Sequence, residues 1–168
     1  MKKWLTLILT AVLALSLIAG ACAETVGMSN PWSAADENDI LNTTGATLYV
    51  PEDAEEVTYS LLESEQLGEM DCFVDGLAIT ARVKPAEDFE DISGAYYDWT
   101  DEEECDIGGC EGVLKTCMDE DETVEVCLWF DAANGLMYSV STSASDLDGF
   151  DLTAIAMQVY APVETEAE

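Results

Sequence analysis

Two short runs, EMDCFV and LAITARV, flank the dipeptide Asp75-Gly76, and this pattern constrains the chain more than any other. Asp-Gly readily occupies the two positive-φ positions of a type I′ turn, whose twist matches that of paired antiparallel strands. In the second run Leu77, Ile79, Ala81 and Val83 fall on one face and Ala78, Thr80, Arg82 and Lys84 on the other, the period of a half-buried strand. Arg82 and Lys84 therefore face solvent or acidic neighbours. The same logic returns in TVEVCLWFD and LMYSVSTS, joined across Ala132 to Gly135 with Asn134-Gly135 as a second hairpin signal. Val124, Val126, Leu128 and Phe130 share a face there, and Leu136, Tyr138 and Val140 are expected to extend it. ATLYV, EVTYSLLE and GVLKTCM are further candidate strands. Ser33 is placed to cap a short helix over Ala34 to Leu41, with Gly45 beyond its end. Leu152, Ile155, Ala156 and Val159 recur at helical spacing near the C-terminus and form a stripe suited to lie on a sheet. The expectation is an α+β fold: an antiparallel β-meander of about six strands, a C-terminal helix packed on it and a short N-terminal helix.

The N-terminus reads as a secretory signal peptide. Lys2 and Lys3 precede an apolar run from Trp4 to Ile18, and Gly20-Ala21-Cys22-Ala23 supplies small residues at a cleavage point. The run is too short and too weakly flanked for a lasting membrane span. Cleavage before Glu24 gives a secreted protein. Alternatively Ala19-Gly20-Ala21-Cys22 acts as a lipobox, and Cys22 carries a lipid anchor at the outer face of the cytoplasmic membrane. The lipobox usually has Leu where Ala19 stands, which favours ordinary secretion. The expected organisation is residues 1–23 signal peptide, 24–45 linker and short helix, 46–162 one domain and 163–168 an acidic tail.

Charge excludes several classes of function. All 36 Asp and Glu follow the expected cleavage point, where the only cations are Arg82, Lys84 and Lys115. Phosphate backbones and anionic lipid headgroups would be repelled, so nucleic acid is not an expected partner. Such a surface suits cations, cationic peptides and solubility. The chain has no histidine, which removes the commonest general base, the Ser-His and Cys-His nucleophile pairs and imidazole metal ligands. No glycine-rich phosphate loop follows a strand and no Cys-x-x-Cys pair is present. No cofactor is expected. Two carboxylates could still hydrolyse a glycosidic bond, but among so many acids any pair can be nominated.

Two other features carry candidate chemistry. Asp146 to Asp151, DLDGFD, has oxygen ligands around a glycine as calcium loops do, yet Met157 stands where an EF-hand would need Glu. Asp148 and Asp151 are better read as caps of the following helix. Export permits disulfides among Cys72, Cys105, Cys110, Cys117 and Cys127. Cys105 and Cys110 bracket a glycine loop and could close a small ring. Cys117 lies opposite Cys127 if a three-residue turn spans Asp121 to Thr123, whereas a five-residue turn slides the two apart. Cys72 is left as a free thiol. Thiolate metal binding is the competing reading, and no metal site is expected.

The strings NPW, ARVKPAEDFEDISGAYYDWT, VCLWFDAANGLMYSVS and DLDGFDLTAIAMQVYAP resemble small uncharacterised exported proteins of clostridia-type Gram-positive bacteria. They are distantly similar to the extracytoplasmic domain of unknown function found in some anti-sigma factors and lipoproteins. The resemblance spans about residues 28–162 and implies export and one β-rich domain. It implies no activity, and it assigns no catalytic residue. Within it lies ISGAYYDWTDEEECDIGGC, whose Tyr96, Tyr97 and Trp99 either plug one end of the sheet or form an aromatic platform ringed by Asp98, Asp101 and Glu102. The expected function is a non-catalytic exported domain that binds a partner at or outside the cell envelope, such as a cationic peptide or a glycan. The alternatives are a carboxylate-dependent hydrolase and a structural or cation-buffering surface protein.

Overall fold

The computed structural model describes residues 30–160; the expected signal peptide, Cys22 and the acidic tail lie outside the described residues. Eight strands form one antiparallel sheet: β1 (Ser33–Ala35), β2 (Glu55–Leu62), β3 (Leu67–Val74), β4 (Leu77–Pro85), β5 (Asp101–Ile107), β6 (Cys110–Asp119), β7 (Glu122–Asp131) and β8 (Leu136–Ala144). Their spatial order is β1-β2-β3-β4-β8-β7-β6-β5. Two four-stranded meanders thus meet through their last strands, β4 and β8. Residues 86–100 carry the chain from the centre of the sheet to its far edge. Helix α1 (Glu37–Thr44) and helix α2 (Leu152–Val159) complete the α+β architecture. No helix among the described residues is long and apolar enough to cross a membrane.

Turn chemistry sets the registers. Asp75 and Gly76, with φ of 53° and 79°, close β3 on β4 so that Val74 pairs with Leu77. Gly108 and Gly109, both at positive φ, close β5 on β6. In each case two consecutive left-handed residues give the twist the strands require. Pairing through Trp129, Tyr138, Val83 and Gly68 then aligns one face across β7, β8, β4 and β3. That inner face carries Met70, Ile79, Val83, Trp129, Tyr138 and Val140 into the main core, beneath Ile40 of α1 and Leu152, Ala156 and Val159 of α2. Gly68 belongs to this face because a Cβ there would meet Ile40 Cγ2 at 2.8 Å, so α1 sits directly on the backbone of β3. The outer face holds a smaller cluster of Leu67, Ile92, Val126, Leu128 and Met137.

Several expectations are corrected. The sheet has eight strands rather than about six, because Ser33–Ala35 and the acidic segment Asp101–Ile107 both pair. Ser33 therefore does not cap α1: its hydroxyl donates to Leu61 O at 3.2 Å. Asp36 caps instead, in a reciprocal box with Asp39, and Gly45 ends the helix at φ 80°. Ala46–Val50 is not a strand, although Ala46 and Leu48 are buried and Tyr49 N donates to Val159 O at 3.1 Å. Leu136, Tyr138 and Val140 lie opposite Asp131, Trp129 and Cys127, on the inner face, and Met137 is the residue that continues the Phe130 face. The four-residue connection changes the parity that simple continuation assumes. The stripe Leu152, Ile155, Ala156 and Val159 is buried as the helical spacing predicts. Asp151 caps α2, its carboxylate accepting Ala154 N at 3.0 Å, whereas Asp148 N donates to Asp146.

Candidate functional site

The segment 86–100 crosses the outer face as a strap, and the three cations of the described chain hold it there. Arg82 projects from β4 on that face because its neighbours Ala81 and Val83 take the inner one. Its Nε donates to Glu69 Oε2 at 2.7 Å, and its Nη1 donates to Ile92 O at 3.3 Å and also to Ser93 O. The guanidinium also lies 5.6 Å from the centre of the Trp32 ring. Gly94 follows at φ 70°, where a Cβ would overlap this guanidinium. Lys84 pairs with Glu90 at 3.1 Å. Lys115, three strands away on β6, reaches Asp91 at 3.6 Å and Glu102 at 3.8 Å. Asp91 in turn accepts Ser93 N at 3.0 Å and Ser93 Oγ at 2.6 Å, which folds the strap into a tight local turn.

The aromatic residues of this strap separate by environment. Trp99 is half-buried against the outer cluster, with Lys115 Nζ 5.8 Å from its ring centre. Tyr97 stands edge-on to it, the centroids 5.7 Å apart. Tyr96 is 95% exposed and packs on nothing. These three, with Asp91, Ala95 and Asp98, line a shallow cleft of about 420 Å³. Glu102 joins through Lys115, but Asp101 does not: it alternates with Glu102 on β5 and pairs with Thr116, so its side chain belongs to the other face. Trp99 and Ile92 are the plug; Tyr96 and the edge of Tyr97 remain open. Of the residues that build this site, Asp91 and Lys115 were missed by sequence reasoning. The scarcity of cations was the available signal, since in a chain of five Lys and Arg against 36 Asp and Glu each positive charge tends to end beside carboxylates.

The cysteines are free thiols in the described structure. The expected Cys105–Cys110 ring is not formed. Cys105 pairs across the hairpin with Gly112 and Cys110 with Ile107, so the two lie diagonally rather than opposite. Cys117 and Cys127 cannot meet. The β6–β7 turn has two residues, Glu120 and Asp121, which pairs Cys117 with Val124 and Cys127 with Leu114 and sets the two thiols on opposite faces of the sheet. Cys105 Sγ instead lies 3.8 Å from Cys127 Sγ, across Gly112. Cys72 is buried. Burial pushes the thiols of Cys72, Cys105, Cys110, Cys117 and Cys127 above the ordinary range, so none is poised as a thiolate.

Behind the sheet, Asp131 is buried at 3% exposure and fully engaged. Its carboxylate accepts Ala133 N and Asn134 N, both at 3.1 Å, Asn134 Nδ2 at 2.7 Å and the Tyr160 hydroxyl at 3.0 Å. Burial raises the Tyr160 phenol, so it stays protonated as the donor. The arrangement ties the β7–β8 loop to the end of α2, and every donor is accounted for by structure. Among the described residues no group of three or more Cys, Asp and Glu is placed to hold a metal ion. No family model, curated protein or solved structure matches the chain.

Proposed function

We propose that this is an exported, non-catalytic acidic domain that binds a cationic peptide or a glycan through the cleft of Tyr96, Tyr97 and Trp99. The observation that carries the reading is Tyr96, a large aromatic side chain left 95% exposed beside a second aromatic edge on a backbone that three basic side chains hold in place. An exposed phenol ring contributes nothing to the core, and a pinned loop loses little further entropy when a ligand arrives. Carboxylates of Asp91 and Asp98 at the rim favour a cation, and the ring faces suit either an alkylammonium or a sugar. Release before Glu24 would make the protein extracellular, and lipidation of Cys22 would hold the same cleft near the membrane.

Calorimetric titration with pentalysine and with soluble cell-wall oligosaccharides tests the reading. Tyr96→Ala is expected to weaken the bound ligand about tenfold, the scale of one aromatic contact, without changing the melting temperature. Unchanged affinity would remove the cleft from the account. Turnover of the oligosaccharide that disappears with a single carboxylate substitution would replace binding with hydrolysis.

A further inference from the structure

β5 is the far edge of the sheet, and its outer side is unpaired among the described residues. The two-residue turn at Gly108-Gly109 makes Ile107 and Cys110 a hydrogen-bonded pair. Alternation then directs the backbone groups of Asp101, Glu103 and Cys105 towards β6 and those of Glu102, Glu104 and Asp106 outward. Glu102 N is taken up by the carboxylate of Asp101 at 3.1 Å. The N–H and C=O groups of Glu104 and Asp106 meet no other strand. A cleft of about 600 Å³ lies beside this open stretch, lined by Phe89, Glu104, Asp106, Glu111 and Val113, among others. Phe89 is exposed to 44% and offers an apolar wall within a ring of carboxylates.

We infer that the β5 edge accepts an extended cationic peptide as a ninth strand. Backbone bonds to Glu104 and Asp106 would fix its direction and register. Every second side chain of the added strand would face the cleft, where a Lys or Arg stem lies against Phe89 and its charge among Glu104, Asp106 and Glu111. Five of the seven β5 residues are acidic, so a second copy of the same edge would place carboxylate against carboxylate and is rejected. A basic strand meets no such barrier. This surface lies on the edge of the sheet and does not depend on the aromatic cleft.

The test uses the purified protein and a labelled peptide, Lys-Thr-Lys-Val-Lys-Thr-Lys, beside a copy methylated at alternate backbone nitrogens and equal in charge. Strand addition predicts affinity about tenfold or more weaker for the methylated copy, the size of one or two lost backbone bonds. It also predicts slowed amide exchange at Glu104 and Asp106 on peptide binding. Equal affinity of both peptides would reduce the interaction to charge alone and overturn the inference. Loss of binding in Tyr96→Ala with the Glu104 and Asp106 amides unprotected would assign the peptide to the aromatic cleft and overturn it as well. Dimerisation through β5 without peptide, seen by sedimentation with Glu104 and Asp106 protected, would show that the edge is already closed.

Discussion

Gly112 shows what a single missing side chain can organise. A Cβ there would stand 2.8 Å from Leu128 O, 3.1 Å from Cys105 Sγ and 3.2 Å from Trp129 Cβ. Only hydrogen fits between β5 and β7, and Cys105 and Cys127 approach each other over it. Gly112→Ala is expected to destabilise the fold by about 1–3 kcal/mol, the usual cost of overpacking a closed site, measured by urea unfolding. Asp131 is the polar counterpart. Asp131→Ala would orphan the donors of the β7–β8 loop and the buried Tyr160 hydroxyl, for a loss of roughly 2–4 kcal/mol. Nothing in DAANG singled out Asp131, because its fourth donor, Tyr160, lies 29 residues away. The thiols make a similar point. Iodoacetamide at neutral pH should leave Cys72, Cys117 and Cys127 unmodified until the chain is unfolded, since all three are at most 2% exposed. Rapid labelling of the folded protein at those positions would contradict the burial described.

At the scale of elements, α2 and its neighbour Glu125 respond to pH in opposite senses. The hydroxyl of Thr153 and the N–H of Ala154 hold the Asp151 carboxyl below its ordinary range. A lowered folded value means stabilisation that is present above the unfolded pKa and lost as pH falls through the lower, folded one. Asp151→Ala should cost about 1 kcal/mol near neutral pH, with a smaller cost at the acid end of that window. Burial, and then the charge of Asp151, raise Glu125. Its burden is therefore present above the raised folded value and relieved as pH falls towards the unfolded one. Glu125→Gln should raise the melting temperature at neutral pH, and the gain should vanish on acidification; thermal melts over pH 3–8 check both signs. Elements were most legible where local chemistry dominates. Asp75-Gly76 and the stripe of α2 needed no distant partner to be recognised. The acidic run DEEECDI offered no strand signal, because five charges conceal a pattern that appears only once Gly108-Gly109 folds it against β6.

Across the whole molecule, the excess of negative charge and its few cations are coupled. Arg82, Lys84 and Lys115 each bind the strap that crosses the outer face, so the basic residues serve as fasteners rather than as a surface for anions. Lys115→Gln should release Asp91 and Glu102 and loosen the packing around Trp99, seen as a red-shifted and more readily quenched tryptophan emission with only a small loss of global stability. Self-repulsion among the carboxylates is long-ranged and readily screened. The melting temperature is therefore expected to rise between low and physiological salt, despite weakening of the exposed ion pairs; a fall would show that those pairs dominate. The sequence by itself determined the hairpins at Asp75-Gly76 and Asn134-Gly135, the covering C-terminal helix and the acidic character, because turn dihedrals, periodicity and charge are local or additive properties. Tertiary structure alone decided that β4 joins β8, that Cys105 rather than Cys117 approaches Cys127, that Asp101 leaves the aromatic cluster, and that Trp99 packs while Tyr96 stays open. Each of these depends on strand order or on turn length to the residue, and a change of one residue in register turns every side chain to the opposite face.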